Sequence, residues 1–178
     1  MLRPVNNAVV NEVLEPLRLG GRVAYLGEPV SVSDHLLQTA TIAQAEGSDA
    51  PLVVACLLHD LGWLIGSGGA GHETRAALFL SEFFDRSVTE PIRLHVTAKQ
   101  YLCTIDPDYY ETLTLASRRT LHSQGGFLDA HGTAGFEAER YALDAVCLRR
   151  FDDRAKDPGA ITPELDHFVP MLESLIGV

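Results

Sequence analysis

The chain has 178 residues, of which 46% are hydrophobic and 21% are charged. This length fits one domain with a core of its own, and the composition excludes a disordered or collagen-like chain. The formal net charge of −10 argues against non-specific nucleic-acid binding, which needs a basic surface. We therefore expect a globular domain that does not bind nucleic acid.

The sequence also indicates where the protein works. No uncharged apolar stretch reaches the roughly 18 residues of a membrane span, and the first residues lack the pattern of a signal peptide. Three cysteines, Cys56, Cys103 and Cys147, lie in apolar helical patterns rather than at disulfide spacings. Reduced thiols and a cytoplasmic protein with no membrane attachment are the expectation.

Helix-type periodicity runs through the whole chain, and the alternation typical of strands is almost absent. Glycine, proline and capping residues divide the sequence into helical lengths. Helices are predicted over 6–19, from 33 or 34 to 46, 51–64, 72–84, from 87 or 89 to 103, 108–113, from 117 to 123, 134–156 and 163–176. The glycine-rich 66–71 is expected to be a loop, and it lacks the lysine of a phosphate-binding P-loop. The predicted fold class is all-α.

Histidines and aspartates in four of these helices suggest a metal site. His59 and Asp60 interrupt an apolar run, where an unpaired polar residue is costly to bury. A hydrogen-bonded His–Asp pair in the core would explain them alone, but His35, His72 and His95 lie in three further helices. Imidazole and carboxylate together suit Fe, Mn, Zn, Co or Ni rather than Mg or Ca.

The spacing of these residues resembles that of the HD-domain superfamily. The signature is one histidine, His35, an adjacent pair 24 positions later, His59-Asp60, and a distant aspartate. The resemblance implies a helical bundle with two metals in its core, bridged by Asp60. One metal would take His35, His59, Asp60 and the late aspartate, and the other would take Asp60, His72 and His95. The domain would comprise an N-terminal helix and gating loop over 1–32, a metal-binding core over 33–156 and a C-terminal helix over 157–178.

The late aspartate has three candidates on the predicted helix over 134–156, namely Asp144, Asp152 and Asp153. A lone helical aspartate such as Asp144 is usually solvated. The segment RRFDDRAK resembles a motif of di-iron HD oxygenases, in which phenylalanine precedes the ligand and lysine follows four residues later. This resemblance selects Asp152, with Lys156 one turn further on.

Four segments, in order, resemble one branch of the superfamily: YLGEPVS at 25–31, HVTAKQYL at 95–102, SRRTLHSQGG at 117–126 and RRFDDRAKDPG at 149–159. The branch is the PhnZ/TmpB type of organophosphonate-degrading, mixed-valent di-iron oxygenases, related to myo-inositol oxygenase. The resemblance implies two iron ions, Fe(II) and Fe(III), and O2 as co-substrate. It also implies a 1-hydroxyphosphonate substrate whose carbon–phosphorus bond is cleaved oxidatively. A separate hydroxylase would supply this substrate.

The same resemblance assigns residues to the substrate. Lys99, one helical turn after His95, would pair with the phosphonate, although a lone lysine is more often solvent-facing. Neutral donors to the phosphonate would be Ser117, Thr120 and Gln124. The loop before the first ligand helix supplies two further residues. Tyr25 would occupy an iron site in the resting enzyme, and Glu28 would orient the amino end of the substrate. Simple surface packing is the alternative for both.

One position departs from the pattern. Related sequences often read HDIGH, whereas this chain reads HDLGW, with Trp63 in the fifth position. An indole face attracts a quaternary ammonium by about 0.5–2 kcal/mol, although a tryptophan on a buried helix often simply fills the core. The hypothesis is (R)-1-hydroxy-2-(trimethylammonio)ethylphosphonate as substrate and glycine betaine as product, with the 2-amino analogue, giving glycine, second.

Two functions of other classes compete. Most HD-domain proteins are metal-dependent phosphohydrolases, and the same histidines and aspartates could activate water toward a nucleotide or a small phosphate ester. A non-catalytic sensory module is the other alternative, although every expected ligand is present. His122, His131 and His167 lie in loop or amphipathic contexts, where a surface position is expected.

Overall fold

The computed structural model describes residues 7–66 and 71–177. Within these ranges the chain forms ten α-helices and two 3-10 turns, and its only strand-like pairing is an isolated bridge between Ala24 and Ser31. The helices are α1 (Asn7–Gly20), α2 (Val32–Ala45), α3 (Ala50–Leu58), α4 (His72–Leu80), α5 (Arg86–Ile105), α6 (Pro107–Thr112), α7 (Leu115–Ser123), α8 (Ala130–Glu137), α9 (Ala142–Arg154) and α10 (Val169–Leu175). The prediction of an all-α fold is confirmed.

Helix α3 lies in the centre of the bundle. Residues 52–58 of α3 are all buried, which explains why this stretch is apolar on every side. It packs against α2 and α5, and both of these also pack against α9. The four helices therefore enclose one interior, into which each can project polar side chains.

The beginning of α3 follows the sequence prediction, but its end does not. Asp49 caps the helix by accepting from the Leu52 amide, and Pro51 stands in its first turn. The helix ends at Leu58 instead of residue 64, and a 3-10 turn follows at Leu61–Trp63. This turn packs against the start of α4 so closely that a Cβ on Gly62 would lie 1.9 Å from the carbonyl oxygen of His72.

Other boundaries also differ from the prediction. The helix predicted over 134–156 is two helices, α8 and α9; Phe136 of α8 packs against Tyr101 of α5 with tilted rings, whose centroids are 4.7 Å apart. Helix α2 begins after Ser31, which forms a capping box with Asp34, so residues 33 and 34 lie inside the helix. The predicted start at residue 6 and loop residues 67–70 lie outside the described residues. Across the described ranges, no helix combines the length and apolarity needed to cross a membrane.

Candidate metal centre and substrate cavity

The six side chains predicted as metal ligands converge in the interior of the bundle. Each is at most 3% exposed. They come from different elements: His35 from α2, His59 and Asp60 from the end of α3, His72 from the first position of α4, His95 from the middle of α5 and Asp152 from α9. His59 directly follows the last residue of α3 and Asp60 precedes the 3-10 turn, so the unpredicted end of α3 falls at this point.

The imidazole rings are held with Nε2 toward the centre. Three rings have Nδ1 within hydrogen-bond distance of a backbone carbonyl oxygen: His35 with Ala155 at 2.8 Å, His59 with Cys56 at 2.9 Å and His95 with Ile92 at 2.7 Å. Burial lowers the pKa of His59 and His95, so these rings are neutral. Since a carbonyl only accepts, the proton lies on Nδ1 and Nε2 carries a free lone pair, the form that binds metals.

The Nε2 atoms form two close pairs. His35 and His59 Nε2 are 3.3 Å apart, and so are those of His72 and His95. Two nitrogens bound to one ion at about 2.0–2.1 Å would lie about 3.0–3.4 Å apart. A cation between each pair would remove the repulsion between facing lone pairs.

Asp60 connects the two pairs. Its Oδ1 lies 3.0 Å from His72 Nε2 and 3.6 Å from His95 Nε2. Its Oδ2 lies 3.6 Å from His59 Nε2 and 3.9 Å from His35 Nε2. One carboxylate therefore faces both pairs, as a ligand bridging two ions would.

Asp152 lies beside the pair formed by His35 and His59. Its Oδ1 lies 3.3 Å from His35 Nε2, and its Oδ2 pairs with Arg149 Nη1 at 2.6 Å. Asp152 Oδ1 and Asp60 Oδ1 are buried without a hydrogen bond to any part of the chain that the structure describes. Buried carboxylate oxygens are normally paired, so both fit ligand positions.

These residues meet the requirements of a metal site. The ligand atoms of His35, His59 and Asp152 lie within 4.8 Å of one another, as do those of His59, Asp60 and His95. Imidazole and carboxylate donors suit Fe, Mn, Zn, Co or Ni. Of the alternatives to Asp152, Asp144 belongs to neither group, and Asp153 pairs with Arg149.

A cavity opens beside the cluster and contains every residue predicted to bind substrate. Its lining includes Tyr25, Glu28, Trp63, Lys99, Ser117, Thr120 and Gln124, together with Asp60, His72, His95, Arg149 and Asp152. Two basic side chains, Lys99 and Arg149, thus line the cavity beside the candidate metal ligands.

Lys99 is buried, at 2% exposure, and not solvent-facing. Its Nζ donates to Thr120 Oγ1 at 2.9 Å. Burial and the nearby Arg149 guanidinium lower the pKa of Lys99 to about 7. A buried ammonium held in this way is prepared to receive an anion.

The loop before α2 brings Tyr25 and Glu28 to the cavity. Leu26 and Gly27 have φ values of 46° and 84°, and the Glu28 amide donates to the Tyr25 carbonyl at 2.7 Å. This tight turn points the Tyr25 hydroxyl at Asp60 Oδ2, to which it donates at 2.7 Å. Burial and Asp60 raise the pKa of Tyr25 well above its usual value, so it is a neutral phenol here.

Trp63 lies between the metal cluster and the cavity. Its indole stacks on the His72 ring, with centroids 4.7 Å apart and planes inclined by 27°. Its Nε1 is buried without a hydrogen-bond partner among the residues described. The position fits a residue that contacts substrate, and the stacking also supports the ring of a candidate ligand.

Sequence reasoning missed the polar network behind Asp152. Arg149, 5% exposed, pairs with both Asp152 and Asp153, and Tyr109 donates to Asp153. The spacing of Arg149 three and four residues before two aspartates was the available signal. His122, His131 and His167 are exposed, as expected of surface residues.

Comparison with known proteins agrees with this arrangement. The HD domain family matches residues 32–155, the span that carries all six candidate ligands. The chain belongs to the HD-domain family.

Its relatives indicate a narrower group. The chain is 36% identical over 165 residues to [1-hydroxy-2-(trimethylamino)ethyl]phosphonate dioxygenase (glycine-betaine-forming) of Leisingera caerulea, covering 88% of this chain and 84% of the relative. It is 36% identical over 163 residues to hydroxymethylphosphonate dioxygenase of Gimesia maris, covering 86% and 81%. An uncharacterized protein of Acanthamoeba polyphaga mimivirus is 31% identical over 170 residues, covering 89% and 78%.

Proposed function

We propose that the protein is a di-iron dioxygenase that cleaves the carbon–phosphorus bond of a 1-hydroxyphosphonate. The observation that carries this proposal is the Asp60 carboxylate facing two histidine pairs beside a cavity that contains buried Lys99. Both relatives with an assigned activity are named as phosphonate dioxygenases. The fold alone would not select this chemistry, because one fold supports many functions.

The overall reaction balances with one O2. The C1–phosphorus bond and one C1–hydrogen bond break, C1 gains one oxygen atom of O2 and phosphorus gains the other, giving a carboxylate and phosphate. C1 is oxidised, O2 is reduced, and one proton is released. Two iron ions bound by His35, His59, Asp60, His72, His95 and Asp152 would supply Lewis acidity and a redox-active site at which O2 accepts electrons from the substrate.

The chain's own residues bind and orient the substrate. Lys99 would pair with a phosphonate oxygen, while Ser117, Thr120 and Gln124 would donate to the others. The Tyr25 hydroxyl, which donates a hydrogen bond to Asp60 Oδ2, would move aside when substrate enters. These residues lie at one cavity, which supports their joint assignment.

The best candidate substrate carries a trimethylammonio group, with glycine betaine as the product, and the 2-amino analogue, giving glycine, is second. Trp63 and Glu28 both line the cavity and offer an aromatic ring and a carboxylate to such a cation. A relative named for the trimethylamino substrate supports the choice. Because the substrate carries a 1-hydroxyl group, a hydroxylase acting on the parent phosphonate would supply it.

The requirement for oxygen tests the proposal against the phosphohydrolase alternative. Phosphate release from 1-hydroxy-2-(trimethylammonio)ethylphosphonate should stop when O2 is removed and resume when it is readmitted. The Asp60→Ala variant is the control for release that does not depend on the metal centre. Undiminished release under anaerobic conditions would mean hydrolysis and would overturn the proposal.

A further inference from the structure

A second lysine, Lys156, contacts two residues that line the cavity, Glu28 and Ser117. Lys156 Nζ is 3.9 Å from Glu28 Oε1 and 3.7 Å from Asp153 Oδ1, and it donates to Ser117 Oγ at 3.1 Å. Both Lys156 and Glu28 side chains are only 9% exposed, so solvent screens their charges weakly. Glu28 Oε1 also accepts from Thr114 Oγ1 at 2.5 Å. The two opposite charges thus face each other, and hydrogen bonds to Ser117 and Thr114 hold them in place.

The backbone around Lys156 is fixed on both sides. The carbonyl of Ala155 lies 2.8 Å from His35 Nδ1. The amide of Gln38, itself 5% exposed, donates to the Asp157 carbonyl at 2.9 Å and accepts from the Asp157 amide at 3.1 Å. The chain has only two lysines, Lys99 and Lys156, and both lie at this site. The position of Lys156 is therefore fixed by the same helix, α2, that carries a candidate metal ligand.

The pairing of Lys156 with Glu28 reduces the repulsion between the Glu28 carboxylate and a phosphonate in the cavity. Because Lys156 Nζ lies 3.1 Å from Ser117 Oγ and 3.9 Å from Glu28 Oε1, a phosphonate bound at Ser117 would lie close to the Glu28 carboxylate. Two like charges repel strongly where water is largely excluded. A cation on the substrate could neutralise Glu28, but hydroxymethylphosphonate carries no cation.

We propose that Lys156 is a specificity-determining residue that neutralises Glu28 and thereby lets the site accept a phosphonate without a cationic substituent. The inference rests on the proposed function and extends it to the range of substrates. When a substrate cation lies beside Glu28, that cation neutralises the carboxylate and Lys156 is no longer needed for this role. Lys156 thus acts on the ligand through Glu28 and is a positioning residue.

Anaerobic calorimetry with the metal-containing protein tests this, because binding is measured without turnover. The ligands are hydroxymethylphosphonate and 1-hydroxy-2-(trimethylammonio)ethylphosphonate. Lys156→Met should weaken hydroxymethylphosphonate binding about 30-fold or more, the range for leaving a buried charge unpaired. It should weaken binding of the trimethylammonio ligand less than about fivefold. Adding Glu28→Gln to Lys156→Met should restore hydroxymethylphosphonate binding to within about fivefold of the unmodified protein.

Controls separate this role from a structural one. Lys156→Arg should retain both affinities, and Arg150→Met, which removes an exposed charge from the same helix, should change neither. Equal losses for the two ligands, or no rescue by Glu28→Gln, would overturn the role of Lys156 and leave the proposed function intact. An unmodified protein that binds neither ligand would overturn the proposed function itself, and this inference with it.

Discussion

Lys99 offers the sharpest test of how the cavity binds a phosphonate. Lys99 is 2% exposed and donates to Thr120 Oγ1, and the charges of Arg149, Asp152, Asp153 and Lys156 act on its pKa. Lys99→Gln keeps a polar side chain of similar length and removes the charge. We expect weaker binding of the hydroxyphosphonate with little change in metal content, because Lys99 is not a ligand.

The size of the effect follows from the charged hydrogen bond that is lost. Hydrogen bonds to charged groups contribute about 1.5–3 kcal/mol, which corresponds to about a 10- to 160-fold increase in Kd. This full effect applies only where Lys99 is protonated before the ligand binds.

The effect should decline as pH rises. With a pKa of about 7, Lys99 is about 90% charged at pH 6 and about 10% charged at pH 8. The lowered pKa means that the free protein loses the ammonium over this range, whereas a bound phosphonate would retain it. The ratio of the variant's Kd to that of the unmodified protein should therefore fall by up to about tenfold between pH 6 and pH 8.

Anaerobic calorimetry at both pH values measures this ratio, in which the ligand's own titration cancels. Arg150→Gln, an exposed change on α9, is the matched control and should give a ratio near one throughout. A Lys99→Gln ratio near one at pH 6, or one that does not change with pH, would refute the assignment of Lys99 to the phosphonate.

Two further predictions concern the metal centre and Trp63. Asp60→Ala should lose both metal ions because it removes the bridging ligand, whereas His72→Ala should preferentially empty one site. Elemental analysis measures the metal content of each variant. Two ions per chain in Asp60→Ala would contradict the paired centre. Trp63→His should shift the ratio of kcat/KM for the trimethylammonio and 2-amino substrates by about five- to thirtyfold against the former, from loss of about 1–2 kcal/mol of cation–π attraction. A ratio that stays within twofold, or a parallel loss of both activities with a lower Tm, would make Trp63 a core residue.

The fold was predictable where local signals agreed with tertiary packing. Asp49 and Pro51 mark the start of α3 in the sequence, and the structure uses both. The end of α3 was not predictable from periodicity, because the apolar pattern continues through Leu64. Just after the helix ends, Gly62 packs against the backbone of His72, a close contact that periodicity does not reveal. The division between α8 and α9 was likewise not predictable from periodicity.

The residues of the site were predictable to the extent that their chemistry is unusual in a core. Histidines and an aspartate in apolar helices indicated a cluster, and the structure brings them together. The relation between Lys156 and Glu28 was not visible, because these residues are 128 positions apart and only the fold brings them to within 3.9 Å of each other. Arg149 behind Asp152 was similarly hidden among several arginines of one helix.

Isotopic labelling tests the central claim, oxidative cleavage of a carbon–phosphorus bond, most directly. Turnover of a 1-hydroxyphosphonate under 18O2 should place one labelled oxygen in the phosphate and one in the carboxylate, because each product gains one new bond to oxygen. Mass spectrometry of both products reads this out, with turnover in labelled water under unlabelled O2 as the converse experiment. Phosphate that takes its new oxygen from water alone would contradict the account and favour a phosphohydrolase.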